Sequence, residues 1–156
     1  MTVTLKKADL GDCAVIHGLQ VRAFAELLEK YHDTATNPGA EPLERIVQRM
    51  EQPFTDYYFI MLNERAIGVI RVARDSAESC RIAPVFVLPA YQNKGYAQQA
   101  IRMAEALYPN AKLWELDTIK QEPKLCHLYE KLGYRQTGKE EVIQPGMTIV
   151  FYEKRV

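Results

Sequence analysis

Six consecutive residues, Gln92-Asn93-Lys94-Gly95-Tyr96-Ala97, are where this chain of 156 residues first suggests chemistry. They lie between an apolar run, Val85-Phe86-Val87-Leu88, and a stretch with Ala97, Ala100, Ile101 and Ala104 at helical spacing. That order predicts a strand, a tight Gly-containing loop and a helix. A helix start aims unpaired N–H groups and the positive end of the backbone dipole at one point. A phosphate or pyrophosphate suits such a point. A nucleotide P-loop would need two glycines and a Lys-Ser/Thr pair, and the dinucleotide fingerprint would need GxGxxG; neither is present. Taken alone, the hexapeptide serves equally as an anion cradle or as an ordinary strand-to-helix turn.

The elements around it follow from spacing. Val3 and Leu5 alternate with polar residues and predict a first strand. Asp9 or Asp12 caps a long helix running to about Lys30, followed by a polar loop broken by Pro38 and Gly39. Pro42 stands early in a second helix, with Leu43, Ile46, Val47 and Met50 on one face and Pro53 closing it. Two strands, 57–62 and 66–73, are joined by Asn63-Glu64-Arg65 as a hairpin. A further strand ends at Leu88-Pro89. Past the loop and its helix, 113–119 is a strand, and Pro123 opens a last helix with Leu125, Leu128, Tyr129 and Leu132 in register. Gly133 ends it, and a hairpin around Gln144-Pro145-Gly146 closes the chain. The order βααβββαβαββ is α/β of the α+β type, helices covering a mixed, mostly antiparallel sheet.

Bulk composition narrows the function. At this length one domain, 1–156, is expected, with room for a real core. Twenty basic residues balance twenty acidic ones, so no net field favours nucleic acid or an anionic membrane as partner. No apolar run approaches a membrane span, and the N-terminus is unlike a signal peptide. Cys13, Cys80 and Cys126 are odd in number and far apart, which predicts buried thiols in a reducing cytoplasm and no metal site.

Two motifs together give a resemblance. Gln92, Gly95 and Ala97 match Gln/Arg-x-x-Gly-x-Gly/Ala after the fourth strand, and Leu128-Tyr129-Glu130-Lys131-Leu132-Gly133-Tyr134 matches Leu-Tyr-x-x-Leu-Gly-Phe/Tyr near the last helix. In that order, one strand apart, they resemble the GCN5-related N-acetyltransferase (GNAT) superfamily over nearly the whole chain. The resemblance implies a seven-stranded sheet flanked by four helices and acetyl-CoA, or a related acyl-CoA, as co-substrate. It implies that the amides of Gln92, Asn93, Lys94, Gly95, Tyr96 and Ala97 hold the pyrophosphate. It also implies that the main chain of Val85 and Val87 pairs with the pantetheine arm, where the fourth strand splays from the fifth. Pro84 fits a splayed strand, since proline cannot donate to a ladder; it equally marks an early strand end. Dimers are common in the family, so a homodimer is compatible.

Acyl transfer to an amine poses two proton problems. An unperturbed alkyl ammonium, pKa roughly 10.4, leaves about one molecule in several thousand neutral at pH 7. The leaving thiolate, from a thiol of pKa roughly 8.5, accepts a hydrogen bond from any hydroxyl still protonated at that pH. The resemblance gives that acid role to Tyr129, whose place on the apolar face also suits a plain core residue. Two positions depart from the family. Arg81 stands where some protein-acetylating relatives carry a catalytic Glu, and Glu122 stands where many have an Asn that contacts the cofactor. The base stays open among Asp117, Glu29, His32, Asp33 and a relayed water. The loop from Tyr31 to Glu41 would line the acceptor site, where Asp33 and Glu41 would attract a cationic amine or merely be solvated. A small-molecule amine acetyltransferase is the expected function. A protein lysine or N-terminal acetyltransferase and a non-catalytic acyl-CoA-binding module are the alternatives.

Overall fold

The apolar alternations and helical spacings become seven strands and four helices in the expected order. A computed structural model describes all 156 residues. Strand β1 (Thr4–Lys7) leads to a short 3-10 turn, Leu10–Asp12, capped by Asp9. Asp9 accepts from the Gly11 N–H, and Asp12 reaches back to the Asp9 N–H, each at 2.9 Å. Two of the free N–H groups at the helix start are thereby satisfied. Helix α1 (Cys13–Tyr31) ends at His32, which is left-handed with φ 53°. Helix α2 (Leu43–Met50) follows Pro42 and stops before Pro53, because β2 (Thr55–Leu62) begins two residues earlier than the alternation suggests.

Strands β3 (Arg65–Arg74) and β4 (Ser79–Val87) continue the meander. Helix α3 (Tyr96–Leu107) crosses over to β5 (Leu113–Ile119), and α4 (Pro123–Lys131) follows. The closing hairpin is β6 (Arg135–Gln144) and β7 (Met147–Arg155), turning through Pro145-Gly146. The sheet order is β1-β2-β3-β4-β5-β7-β6. Only the β4–β5 pair is parallel; every other neighbour is antiparallel.

Each face of the sheet buries its own core. One gathers 20 buried residues, among them Ile70, Val72, Ile82, Tyr96, Ile101, Trp114, Leu116, Tyr129 and Tyr152, under α3 and α4. The other gathers 10, including Ile16, Ile46, Tyr57, Phe59, Val69 and Phe86, under α1 and α2. The second core draws nothing from β5, β6 or β7. On that face the last three strands carry no helix layer.

The parallel pair is short. Ser79, Cys80 and Arg81 pair with Leu113, Trp114 and Glu115, and the ladder stops there. Opposite the rest of β4, the β3 register slips between Ile70 and Val72, leaving Ala83 and Pro84 out of the pairing. The Ala83-Pro84 peptide bond is cis. Pro84 therefore sits inside the strand and does not end it, at a bulge where its missing N–H breaks no ladder. Beyond Arg81 the strands diverge and a gap opens between β4 and β5.

Candidate active site

The gap is walled on one side by the end of β4. The Phe86 carbonyl lies against Gly68 of β3, and the Leu88 N–H donates to the Ile67 carbonyl at 2.8 Å. By strand alternation, the main-chain groups of Val85 and Val87 turn the other way, toward the gap. The Gln92 side chain donates to the Val87 carbonyl at 2.9 Å, and the Gln92 N–H donates to Pro89. Gln92 thus ties the loop to the strand, with its backbone N–H and one of its two side-chain N–H groups engaged.

Beyond Gln92, Asn93 and Gly95 take positive φ, 63° and 81°. The first bond of α3 runs from the Gln99 N–H to the Gly95 carbonyl at 3.1 Å. The amides of Tyr96, Ala97 and Gln98 therefore lack intrahelical partners. A Cβ on Gly95 would meet no heavy atom within 4 Å, so the space above the loop is open. Open space, free amides and a helix N-terminus together fit the pyrophosphate of an acyl-CoA. Lys94 is exposed beside them. The side chains of Tyr96 and Ala97 turn into the core, so both residues offer main chain only.

Tyr129 stands on α4, in the core beneath β5 and near Asp117. It is buried, its ring stacked edge-on against Tyr134 at 6.4 Å and tilted against Tyr152 at 6.2 Å. Burial drives its hydroxyl pKa upward, and the nearby Asp117 carboxylate adds to the rise. It is a core residue whose hydroxyl stays protonated at neutral pH.

Asp117 lies on β5 just past the last parallel pair. Burial raises its pKa and Glu141 adds to the rise, while Arg81 opposes both. Arg81 reaches Asp117 at 3.5 Å and Glu115 at 3.4 Å. The position where a glutamate base was sought is thus a cation clamped by two carboxylates.

Other candidates stand elsewhere. Asp33 is buried and turned inward, accepting from the Ala35 N–H, the Thr36 N–H and the Thr36 hydroxyl. Glu41 is held by Arg49 at 2.6 Å and by the Gln20 amide at 2.9 Å. Neither carboxylate is free to draw in an amine, which corrects that expectation. Glu29 and His32 are exposed. Glu122 caps nothing; it accepts from Lys30 at 2.6 Å and from the Tyr31 hydroxyl at 2.5 Å, binding the end of α1 to the start of α4. Burial opposes its ionisation, but the two donors outweigh that and hold its pKa below the usual range.

Sequence reasoning missed Arg71, which lies opposite Tyr57 in the ladder and donates to the Ala83 carbonyl at 2.8 Å. The signal was a lone cation inside the apolar run Ile67–Ala73. A hollow of about 410 Å³ lined by Lys7, Asp9, Gln52 and Asp56 lies at the far edge of the sheet, away from the gap.

Residues 11–134 match the model of the Acetyltransferase (GNAT) family. Among solved structures, a spermidine N-acetyltransferase from Vibrio cholerae in complex with CoA and spermine superposes with a TM-score of 0.77 at 20% identity, covering 99% of this chain and 95% of that one. An acetyltransferase from Thermus thermophilus gives 0.75 at 15% identity, with 100% and 98% covered. A GNAT family acetyltransferase from Elizabethkingia anophelis with acetyl-CoA bound gives 0.69 at 16%, with 99% of each chain covered. No curated protein matches the sequence. At these identities the structural likeness establishes the fold.

Proposed function

Since the chain belongs to the Acetyltransferase (GNAT) family and is an N-acetyltransferase, we propose that it moves the acetyl group of acetyl-CoA onto a primary amine of a small molecule. The observation that carries this is the β4–β5 gap, with a free helix N-terminus beside it; on this reading the Tyr129 hydroxyl stands at the thioester. The Asn93–Gln98 amides and Lys94 hold the pyrophosphate, while the Val85 main chain and the Val87 N–H pair with the pantetheine arm. This arrangement lays the thioester across the gap, where it is open to the face that carries no helix over β5.

The amine nitrogen then attacks the thioester carbonyl from that open face and the carbon–sulfur bond breaks. Tyr129 donates its proton toward the departing sulfur. Its raised pKa keeps it protonated at neutral pH, as an acid in this role requires. The amine arrives mostly as a cation, and Glu115 and Asp117 stand on β5 beside the gap, with Glu141 two strands away. Asp117, with its own pKa raised, is placed to take the proton that the amine sheds. A small cationic acceptor also agrees with the spermine bound to the Vibrio cholerae enzyme. The free cysteines suit a reducing compartment, the cytoplasm. No helix is long and apolar enough to cross a membrane.

The test is free CoA release from acetyl-CoA, with and without amines, beside calorimetric binding of acetyl-CoA. Amine-dependent release is expected. Tight binding with no release from any amine would instead point to an acyl-CoA-binding module.

A further inference from the structure

Three buried side-chain polar atoms in the chain lack a hydrogen-bond partner: the Gln20 Oε1, the Tyr57 hydroxyl and the Arg71 Nε. All three belong to one group of residues. Gln20 donates to Glu41, Glu41 binds Arg49, Arg49 lies near the Tyr57 hydroxyl, and the Arg71 guanidinium sits over the Tyr57 ring, 6.0 Å from its centroid. Gln20 and Tyr57 are 0% exposed. Unsatisfied buried polar atoms are rare in native folds, so the Arg71 end of this chain of contacts stands out.

Arg71 is the charged member of that set. Its neighbours Arg49, Arg74 and Arg81 each have a carboxylate within 3.5 Å. Arg71 has neutral acceptors only, the Ala83 carbonyl at 2.8 Å and the Thr55 hydroxyl at 3.3 Å. Part-buried guanidinium groups seldom go without an anion, because the desolvation they suffer is then uncompensated. The Nε is closed off from solvent, but Nη1 and Nη2 have given one hydrogen each and keep a second, so a terminal fork remains for a bidentate acceptor.

Its position supplies the rest. Ala73, two residues along β3, lies opposite Arg81, so Arg71 shares a face with Arg81, Glu115 and Asp117. Its bonds to Ala83 and Thr55 hold the guanidinium over β3, beside the β4 bulge that borders the gap. Across the gap stands Asp117. An amine brought to the thioester therefore has a carboxylate on one side and an unpaired cation on the other.

Resting on the acetyl-transfer reading above, we infer that Arg71, backed by the Tyr57 hydroxyl, binds a carboxylate of the acceptor. The acceptor is then an α-amino acid or another small amine with a carboxylate a few bonds from the nitrogen. Arg71 acts as a binding residue for the acceptor and takes no part in the proton transfers.

The experiment compares matched pairs, each a free amino acid and its primary carboxamide, by amine-dependent CoA release. The carboxamide's α-amine, with a pKa near roughly 7.7–8.0 as in peptides, is more often neutral at pH 7. Chemistry alone thus favours the carboxamide, and a preference for the carboxylate must come from the protein. The wild type is expected to favour the carboxylate at least tenfold in kcat/KM, through KM. Arg71→Gln should bring that ratio close to one, and Arg71→Lys should restore part of it. Tyr57→Phe, which keeps the buried ring, should lower the ratio about threefold and decides the matter if Arg71→Gln does not fold. A wild-type ratio of one or below, or a ratio that these variants leave unchanged, overturns the inference while acetyl transfer stands. Acetyl-CoA binding with no release from either member of any pair overturns both.

Discussion

The two sides of the β4–β5 gap are made of different material. Donor recognition, as proposed, is main chain: the amides of the 93–98 loop and helix start, and the peptide groups of Val85 and Val87, with Gln92 as a brace. Acceptor recognition, as proposed, is side chain: Tyr57 from β2, Arg71 from β3, Arg81 from β4 and Asp117 from β5, all on the sheet face whose first strands lie under α1 and α2. A main-chain site is insensitive to side-chain replacement but fails when the backbone is forced to move. A side-chain site behaves the other way round. The donor half can thus stay constant while the acceptor half is rewritten by point substitutions.

That contrast can be broken at several points. Tyr129 spans both halves, so Tyr129→Phe should have the largest effect, lowering kcat at least about tenfold with the KM for acetyl-CoA held. Its raised pKa adds that any fall of kcat below about pH 9 belongs to another group and persists in the variant. Gly68→Ala comes next. A Cβ there would meet the Phe86 carbonyl at 2.1 Å and the Val87 Cα at 3.0 Å, both backbone atoms that cannot swing aside. A loss of about 1–3 kcal/mol in urea unfolding is expected, with a raised KM for acetyl-CoA. An unchanged midpoint would mean that β3 and β4 part easily there.

Gly95→Ala has space but the wrong φ, 81°, at a cost of about 1 kcal/mol. Acetyl-CoA binding should weaken about fivefold by calorimetry, with acceptor KM unmoved. Asp117→Asn probes the other half. The folded-state pKa of Asp117 is raised, so its ionisation costs stability once pH climbs from the unfolded value through the folded one. The side chain is 39% exposed, which screens the effect. Wild type should therefore lose about 1–2 °C of Tm between pH 4 and 7 that the variant keeps, while the variant's acceptor KM rises. The smallest effect is Lys94→Ala, an exposed charge worth about twofold in acetyl-CoA affinity and less in high salt.

How much could be read from the sequence follows the same division. The strand order, the helix starts at Pro42 and Pro123, the left-handed Gly133 and the loop at Gly95 depend on nearest neighbours, and local residue types reveal those. Pro84 announced the bulge for the same reason. The acceptor wall depends on which side chains several separate strands and helices bring together. Asp33 and Glu41 read as free acids until Thr36 and Arg49 were seen to occupy them. Arg81 read as a missing base until its two carboxylates came into view. Arg71 was visible only as an odd charge in an apolar strand, because its lack of a partner is a property of three dimensions.

The brevity of the β4–β5 ladder has a mechanical consequence. Three residues on each strand are all that join β1–β4 to β5–β7–β6 within the sheet. Within the sheet the two halves meet only at that joint, while one core of 20 residues holds them together from below, and a long ligand lying in the gap would bridge both. Amide hydrogen exchange should then slow along both lips of the gap, at Val85, Val87 and 117–119, when acetyl-CoA is added, with little change at the outer edges β1 and β6. Uniform slowing across all seven strands would mean that the sheet opens as one body.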